Sequence, residues 1–392
     1  MSTVLILSAT RTPIGEFQGA LAKVPANRLG AVAVRGAVAQ SGLAPEEITD
    51  VVLGNVHQAG QGQAPARQAA LSAGLSPHAR AVTVSKVCGS GLQAVMQGAH
   101  AIMAGDAGMV VAGGMESMSS SPFLLEGARQ GYRLGHQQVM DSVVHDGLWD
   151  PYNNQHMGSC AEHCARKYSF TREQQDAFAV ASFQRARVAQ DSARFDEEIT
   201  AVEVVDAKGV VTVVGRDEGP SKVNYAKLPT LRPCFEKSGT ITPANASAIN
   251  DGAAALVLAA EPSVEGRGLK PLARIVAFGA YAHEPLWFTT APVEAAREAL
   301  RRAAWSVGDV DLWEVNEAFA VVPMAFMQEL EVPHERINVR GGAIALGHPI
   351  GASGARIIVT LLASLREKGL ARGVAALCIG GGEGMAVCIE RL

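Results

Sequence analysis

Aromatic residues, charge and long apolar runs are all scarce in this sequence. Aromatic residues make up 5% and charged residues 18% of the 392 positions, and 34 Lys and Arg against 38 Asp and Glu give a net charge of −4. Nucleic-acid binding usually needs a clustered basic face, so we expect no nucleic-acid partner. No stretch approaches the ~20 uninterrupted apolar residues that a membrane span needs, so we expect no membrane partner.

Cysteine is also rare, with six residues at Cys88, Cys160, Cys164, Cys234, Cys378 and Cys388. The first residues lack the basic and apolar regions of a signal peptide, so we expect free thiols in the cytoplasm. Glycine is the exception, because 41 glycines exceed the usual share of ~7% without a Gly-X-Y period. This pattern excludes collagen and low-complexity disorder.

Short β-branched runs alternate with Ala-rich helical patterns, which predicts an α/β layered fold. The predicted strands are Val4–Ser8, Asp50–Asn55, Met109–Gly113, Ala253–Ala259, Leu272–Phe278, Leu312–Val315, Ala375–Ile379 and Met385–Ile389. The predicted helices are Arg28–Ser41, Arg67–Ala73, Gly91–Ala104, Arg172–Asp191, Pro292–Ala304, Ala318–Leu330 and Ser353–Lys368.

Two parts of the chain repeat one pattern. Asn55 ends an apolar run 33 residues before Cys88, and Asn316 ends another 32 residues before His348. Cys88 and His348 each precede a Gly/Ser-rich turn that opens a helix, so we expect the two helix starts to meet near a pseudo-dyad. The predicted domains are 1–118 plus 249–270 as one half, 271–392 as the other, and 119–248 as an insertion over one end of the sheet.

Cys88 stands between a predicted strand and a predicted helix. A thiol at a helix N-terminus faces unpaired N–H groups, which favour the thiolate, and Lys86 adds positive charge nearby. Gly89 and Gly91 leave room for a substrate. We interpret Cys88 as a nucleophile, with a buried structural cysteine as the alternative.

His348 lies among glycines at another helix start. It could act as a base toward Cys88 and as a donor to an acyl oxygen, or it could simply cap the helix. Asn316 could hold a water near His348 or act as a helix N-cap.

Cys378 follows an apolar run and precedes Ile379-Gly-Gly-Gly-Glu383-Gly. A second thiol there could move a proton, while neighbouring N–H groups bind an oxyanion. A dinucleotide-binding loop is disfavoured, because only eight residues follow Gly384. A zinc site at Cys160, His163 and Cys164 is also disfavoured, since no second pair stands at finger spacing.

Together these motifs resemble those of the thiolase family over essentially the whole chain. They are Ser85-Lys-Val-Cys88-Gly-Ser-Gly91, Ala112-Gly-Gly-Met-Glu-Ser-Met118, Asn316-Glu-Ala-Phe-Ala320, Gly347-His348-Pro-Ile-Gly-Ala-Ser-Gly354 and Cys378-Ile-Gly-Gly-Gly-Glu-Gly384. His156-Met-Gly158 and Asn245-Ala-Ser-Ala-Ile-Asn-Asp-Gly252 look most like the short-chain members. The resemblance implies a duplicated α/β/α layered sandwich of two similar halves with an inserted loop domain.

The resemblance also implies a reaction, the reversible Claisen condensation of two acetyl-CoA to acetoacetyl-CoA and CoA. Cys88 would be acylated with His348 as its activating group, and Cys378 would remove the α-proton of the second acetyl-CoA. His348 and a water on Asn316 would form one oxyanion hole, and the N–H groups of Cys88 and Gly380 the other. No cofactor is expected beyond the CoA thioester substrates, and the family implies a homotetramer built as a dimer of dimers.

The insertion would hold CoA. The implied contacts are Leu148, His156, Met157, Lys222, Lys227, Phe235, Ser247, Phe288, Ala318 and Phe319. Two positions depart from the family pattern. An arginine is often found near residue 220, where Lys222 or Lys227 could replace it, and Phe288 stands where short-chain members often have Met.

Four alternatives remain at this stage. A 3-ketoacyl-CoA thiolase of β-oxidation would accept longer chains. A β-ketoacyl synthase has histidine, or histidine and asparagine, in place of Cys378. A cysteine hydrolase needs no second thiol, and a non-catalytic lipid-binding or scaffold protein would need none of these groups.

The glycine excess has an interpretation too. Thirteen glycines cluster around the candidate site: Gly89, Gly91, Gly113, Gly114, Gly341, Gly342, Gly347, Gly351, Gly354, Gly380, Gly381, Gly382 and Gly384. We expect them to let main-chain N–H groups approach a thioester oxygen.

Overall fold

The structure is a computed structural model that describes residues 2–392, so residue 1 of the predicted first half lies outside the described residues. The strands are β1 (Val4–Arg11), β2 (Gly15–Glu16), β3 (Asp50–Gly54), β4 (Arg80–Val84), β5 (Met109–Ser117), β6 (Phe123–Leu124), β7 (Met140–Asp141), β8 (Trp149–Asp150), β9 (Gln155–His156), β10 (Val202–Val205), β11 (Val211–Val214), β12 (Asn250–Ala260), β13 (Ala273–Ala282), β14 (Leu312–Val315), β15 (Arg372–Ile379) and β16 (Glu383–Arg391). The helices are α1 (Ala26–Ser41), α2 (Pro65–Ser72), α3 (Ser90–Ala104), α4 (Met157–Tyr168), α5 (Arg172–Asp191), α6 (Ala291–Ala303), α7 (Val321–Leu330), α8 (Ala343–Leu346) and α9 (Ile350–Lys368).

The long strands form one mixed sheet in the order β14-β15-β16-β13-β1-β12-β5-β3-β4, with β2 beside β12. β3 is parallel to β4 and β5, β14 is parallel to β15, and the remaining neighbours are antiparallel. The order β1-β12-β5-β3 therefore recurs as β13-β16-β15-β14. This repetition confirms the predicted duplication, and the two copies join where β1 pairs with β13.

Helices α3 and α9 lie between the strands of the two halves. One buried apolar cluster combines Leu92 of α3 and Ile358 of α9 with Val110 of the first half and Leu377 of the second. Helices α1 and α2 cover the outer face of the first half, and α6 and α7 cover that of the second. The predicted α/β sandwich of two similar halves is thereby confirmed, since each layer of strands buries apolar side chains against helices on both faces.

Several glycines allow α3 and α9 to pack backbone to backbone. A Cβ on Gly91 would lie 2.8 Å from the Ala355 nitrogen, and a Cβ on Gly354 would lie 2.3 Å from the Leu92 nitrogen. The two Gly-rich helix starts do meet, as predicted. Their glycines, however, make room for the other half of the chain, so the interpretation that they admit a substrate oxygen is wrong for Gly91 and Gly354.

The predicted insertion 119–248 contains α4, α5, the hairpin of β10 and β11, and the short pairs β6–β7 and β8–β9. Buried ion pairs attach it to β1, where Arg11 contacts Glu198 at 2.8 Å and Asp217 at 2.7 Å. The three side chains are almost completely buried. This attachment holds the insertion in a defined position over the rest of the chain, while its exact boundaries remain a prediction.

All eight predicted strands and all seven predicted helices are present, with ends that differ by a few residues. The predicted elements did not include α4, α8, β4, the hairpin of β10 and β11, or the two-residue strands β2, β6, β7, β8 and β9. Strand β4 was missed because it is an edge strand in which Arg80 and Val82 are exposed, so it lacks a buried apolar run. No helix within residues 2–392 is both long and apolar enough to cross a bilayer.

Candidate active site

One cavity of about 570 Å³ brings together most of the predicted site. The predicted residues that line it are Cys88, Leu148, His156, Met157, Phe235, Ser247, Phe288, Ala318, Phe319, His348 and Gly380. Cys378 and Asn316 are fully buried behind this lining. Lys222 and Lys227 line a separate cavity of about 300 Å³, which shares Glu16 with the larger one and is therefore adjacent to it.

Cys88 lies on a tight turn between β4 and α3. Val87 has a φ of +45°, which is rare for a β-branched residue and indicates local strain. Ser90 holds the turn, since its Oγ accepts from the Lys86 N–H at 2.8 Å and donates to the Val87 carbonyl at 2.7 Å. The turn directs the half-buried Cys88 thiol into the cavity.

Two main-chain N–H groups, those of Gly380 and of Cys88 itself, are directed at the Cys88 sulfur. These hydrogen bonds lower the pKa of the thiol, but burial is the larger effect and, with the Glu116 carboxylate, raises the pKa to about 11. The prediction that the helix N-terminus favours a thiolate is therefore wrong for the free protein. Cys88 is a neutral thiol at neutral pH and needs a base to activate it.

His348 lies between α8 and α9 with its ring almost completely buried. Its Nδ1 lies 2.6 Å from Ser353 Oγ, and that hydroxyl donates its single hydrogen to the Pro349 carbonyl at 2.9 Å. Nδ1 must therefore carry the hydrogen in the contact with Ser353, so Nε2 is left without one. Burial and the nearby Arg356 guanidinium lower the pKa of His348 to about 3, so the ring is neutral and can accept a proton.

Asn316 follows β14 and lies beside His348, which belongs to the same half. Its Nδ2 lies 3.5 Å from both ring nitrogens of His348, which is too long for a strong hydrogen bond. Its Oδ1 is buried and has no hydrogen-bond partner within residues 2–392. A buried amide that lacks partners retains capacity to bind water or a substrate oxygen.

Cys378 is fully buried near the end of β15, two residues before Gly380. Burial and the neighbouring Cys88 thiol raise the pKa of Cys378 well above its usual range. The second cysteine is therefore a protonated thiol that lies close to the first one. Two thiols and an imidazole thus meet at one end of the cavity.

Aromatic rings line the other part of the cavity. His156 stacks on Phe235 with ring centroids 4.7 Å apart, and its Nδ1 accepts from the Gly158 N–H at 3.0 Å. Phe319 makes edge-to-face contacts with Phe235 at 6.2 Å and with Phe288 at 6.3 Å. This apolar channel is lined by few polar groups, among them Ser247, whose Oγ donates to the Ala318 carbonyl at 3.0 Å.

The two predicted lysines differ in their surroundings. Lys222 Nζ lies 2.6 Å from a Glu16 oxygen and 3.2 Å from a Glu218 oxygen, so its charge is already neutralised. Lys227 is exposed and makes no ion pair within the described chain. Of the two, Lys227 is the one available to an anion.

The side chains of Cys160, His163 and Cys164 on α4 contact different neighbours. The Cys160 thiol lies 3.6 Å from Asp150 and 3.2 Å from Gln155, whereas the Cys164 thiol contacts the Val321 carbonyl. His163 instead packs edge-on against Trp287. No group of three or more His, Cys, Asp or Glu residues within 2–392 has the geometry to hold a metal ion.

Comparison with known proteins decides the family. The thiolase N-terminal domain matches residues 4–262, and the thiolase C-terminal domain matches residues 269–391. The chain belongs to the thiolase family.

Individual thiolases are similar over their full length. An acetyl-CoA acetyltransferase of Cupriavidus necator is 48% identical over 392 residues, which cover all of both chains. The crystal structure of the Bacillus anthracis acetyl-CoA acetyltransferase matches with a TM-score of 0.98 and 41% identity over 100% of this chain and 99% of that one. A thiolase from Ascaris suum in complex with coenzyme A matches with a TM-score of 0.94 and 42% identity over the whole of both chains.

Sequence reasoning missed several residues of this thiolase site. Ser353 was not singled out, although it determines which nitrogen of His348 carries the hydrogen. Its position five residues after His348, on the first turns of α9, is a signal that could have found it. Met118, Ile249 and Ile350 also line the cavity, but their apolar side chains carry no distinguishing signal in the sequence.

Proposed function

We propose that this thiolase is an acetyl-CoA C-acetyltransferase that interconverts two acetyl-CoA with acetoacetyl-CoA and CoA through an acetyl-Cys88 intermediate. The observation that carries the proposal is the meeting of Cys88, His348, Cys378 and the Gly380 N–H at one end of a channel. The names of the full-length relatives support the same activity.

The residues can be assigned to each step of thiolysis. Cys88 gives its proton to His348 Nε2 and attacks the β-carbonyl of acetoacetyl-CoA, and the bond between the α and β carbons breaks. The departing enolate of acetyl-CoA takes the proton of the Cys378 thiol. Incoming CoA then gives its thiol proton to the Cys378 thiolate and attacks acetyl-Cys88, and the released Cys88 sulfur takes its proton back from His348.

Two groups of donors stabilise the developing oxyanions in this scheme. The N–H groups of Cys88 and Gly380 already face the Cys88 sulfur, so they would bind the oxygen of its acyl group. His348, with a water bound by Asn316, would bind the enolate oxygen of the second substrate. Condensation is the same sequence in reverse.

The channel supports a CoA thioester as the substrate. Its aromatic and apolar wall suits the pantetheine chain, with Leu148, His156, Met157, Phe235, Ser247, Ala318 and Phe319 as contacts. Phe288 lines the channel with a buried ring, and we propose that its bulk favours a short acyl group over the longer chains of β-oxidation. Because Cys88, His348 and Cys378 complete the proton transfers, we propose that the reaction needs no cofactor. Dialysis of the protein against EDTA should therefore leave turnover unchanged.

We also propose a homotetramer in the cytoplasm. Support for association comes from the exposed apolar residues Phe123, Leu134 and Val139, and from the exposed Val82 on the edge strand β4. Light scattering during size-exclusion chromatography should give four times the chain mass of 40.9 kDa. A monomer mass would contradict the tetramer without affecting the proposed reaction.

The test of the activity is thiolysis of acetoacetyl-CoA by CoA, followed through the loss of its ultraviolet absorbance. Cys88→Ala should reduce kcat at least about 10³-fold, because no other group can form the acyl intermediate. Cys388→Ala is the control, since Cys388 is a buried cysteine on β16 that does not line the cavity. Normal turnover by Cys88→Ala would refute the proposal.

A further inference from the structure

An ion pair connects the two loops that supply the N–H groups around the Cys88 sulfur. Lys86 Nζ contacts a Glu383 carboxylate oxygen, although the two residues are 297 positions apart. Their side chains are 25% and 37% exposed, respectively. Lys86 lies two residues before Cys88, and Glu383 lies three residues after Gly380, so the pair bridges the nucleophile turn and the Gly380 turn.

Glu383 is placed where it can control the Gly380 turn. It pairs with Ile379 across the hairpin, and these two residues close a loop of three glycines. Gly381 and Gly382 have φ values of +91° and +86°, a conformation that few other residues adopt. Three consecutive glycines form a flexible loop unless its ends are held, and Glu383 is one of these ends.

Lys86 is coupled in the same way to the Cys88 turn. Its carbonyl accepts from the Gly89 N–H at 2.9 Å, and it forms a β-bridge with Cys88. The two loops also touch through apolar groups, since a Cβ on Gly89 would lie 2.4 Å from the Ile379 side chain. Apolar contact brings the loops together but has no preferred direction, whereas an ion pair fixes how one loop is aligned with the other.

We propose that Lys86 and Glu383 are positioning residues that hold the Gly380 N–H in line with the Cys88 sulfur. They act through the two turns and touch neither the substrate nor the reacting atoms. The proposal deepens the proposed function, because it rests on the assignment of Gly380 to the oxyanion hole of acyl-Cys88.

A purely electrostatic role makes a different prediction from a positioning role. If only charge mattered, removal of Lys86 would raise the pKa of the Cys88 thiol and removal of Glu383 would lower it, so the two variants would have opposite effects. If the pair positions Gly380, either removal weakens the same N–H contact. Both variants then change the reactivity of Cys88 in the same direction.

The experiment uses Lys86→Met, Glu383→Gln, the double variant and the exchanged pair Lys86→Glu with Glu383→Lys. Two readouts are taken: the rate of Cys88 alkylation by iodoacetamide at pH 8, followed by peptide mass spectrometry, and kcat and KM for acetoacetyl-CoA thiolysis. Each single variant should lose about 2- to 5-fold in both the alkylation rate and kcat, since a partly exposed ion pair contributes no more. The double variant should lose no more than either single variant, the exchanged pair should regain wild-type values within about 2-fold, and KM should stay unchanged.

The control is the ion pair of Arg267 with Glu47, which has similar exposure and also joins distant parts of the chain. Arg267→Met and Glu47→Gln should leave both readouts unchanged. Opposite effects of Lys86→Met and Glu383→Gln, additive losses in the double variant, or no loss at all would overturn the proposal. If the wild-type protein did not catalyse thiolysis, the proposed function would be refuted. The alkylation rates would still test whether Lys86 and Glu383 position Gly380.

Discussion

Asn55 and Asn316 hold corresponding places in the two halves, directly after β3 and β14, yet their side chains are used differently. Asn55 Nδ2 donates to the Met115 carbonyl at 3.2 Å and to Glu116 at 2.7 Å, and its Oδ1 accepts from Gln61 at 3.1 Å. Asn316 Oδ1 has no partner within residues 2–392, and its Nδ2 makes only long contacts to His348. In a duplicated fold, the copy with unused hydrogen-bonding capacity is the one that can bind a ligand.

The largest effect should be the difference between the Asn316→Ala and Asn55→Ala variants. Asn316→Ala should lower kcat for thiolysis about 10²- to 10³-fold without changing the melting temperature, because it removes a group that stabilises the oxyanion. Asn55→Ala should instead lower the free energy of unfolding by about 2 kcal/mol, since buried partners lose their hydrogen bonds, and keep kcat within about 2-fold. Steady-state kinetics and thermal melts on both variants measure this difference. Equal losses of kcat at unchanged stability would show that the halves are not specialised in this way.

The second prediction concerns the contact that joins the halves. A Cβ on Gly354 would lie 2.3 Å from the Leu92 backbone nitrogen, so Gly354→Ala should force α9 away from α3 and lower the free energy of unfolding by about 3 kcal/mol. Gly108→Ala is the control, because the nearest atom to its Cβ would be Ser263 Oγ at 3.5 Å. Urea denaturation measures both variants. A tolerated Gly354→Ala would mean that the helices can move apart without cost.

These glycines show which features of the structure could be predicted from the sequence and which could not. Repeated motifs and apolar runs predicted the duplication, the main strands and the residues at the end of the channel, because those signals are local in sequence. The meeting of Gly91 with the backbone of α9 is a contact between distant segments, and no local pattern distinguishes it from a turn that admits a ligand. The assignment of glycines to the oxyanion hole was therefore too broad.

The same limit explains the error about the Cys88 thiol. The helix N-terminus can be inferred from neighbouring residues, but the burial of Cys88 and the approach of Glu116 from β5 follow only from the folded chain. Likewise, the partners of Lys222 include Glu16, which is 206 positions away. The sequence identified Cys88 and Lys222 as candidate site residues, but it did not predict the burial and the charged neighbours that surround them in the folded chain.

The third prediction concerns the protonation states of Cys88 and His348, which lie at the starts of α3 and α9. With the pKa of Cys88 raised to about 11 and that of His348 lowered to about 3, both groups are neutral between pH 6 and 9. The rate of Cys88 alkylation by iodoacetamide should then rise about tenfold for each pH unit over this range, as the small thiolate fraction grows. Mass spectrometry of the Cys88 peptide gives the rate, with Cys88→Ser as the unlabelled control. A flat profile from pH 6 to 8 would indicate a preformed ion pair of thiolate and imidazolium.

The smallest effect should appear in the cavity adjacent to the channel, where Lys222 has ion-pair partners and Lys227 has none within residues 2–392. Lys222 is neutralised by Glu16 and Glu218, whereas Lys227 is free within the described chain, so we expect Lys227 to meet the CoA phosphates. Lys227→Ala should raise KM for CoA about 3- to 10-fold at unchanged kcat, with a smaller increase at high salt.

A substrate without phosphates makes this test specific. Acetoacetyl-pantetheine lacks the phosphates and the adenosine, so Lys227→Ala should leave the KM for this substrate unchanged while it raises the KM for acetoacetyl-CoA. The KM for acetoacetyl-pantetheine divided by the KM for acetoacetyl-CoA should therefore decrease. Lys222→Ala should keep the wild-type ratio, and Lys208→Ala, on the turn between β10 and β11, should change neither KM. If Lys222→Ala rather than Lys227→Ala reduced this ratio, the CoA phosphates would be competing successfully with Glu16 and Glu218 for Lys222. An existing ion pair would then not predict which lysine is available to a ligand.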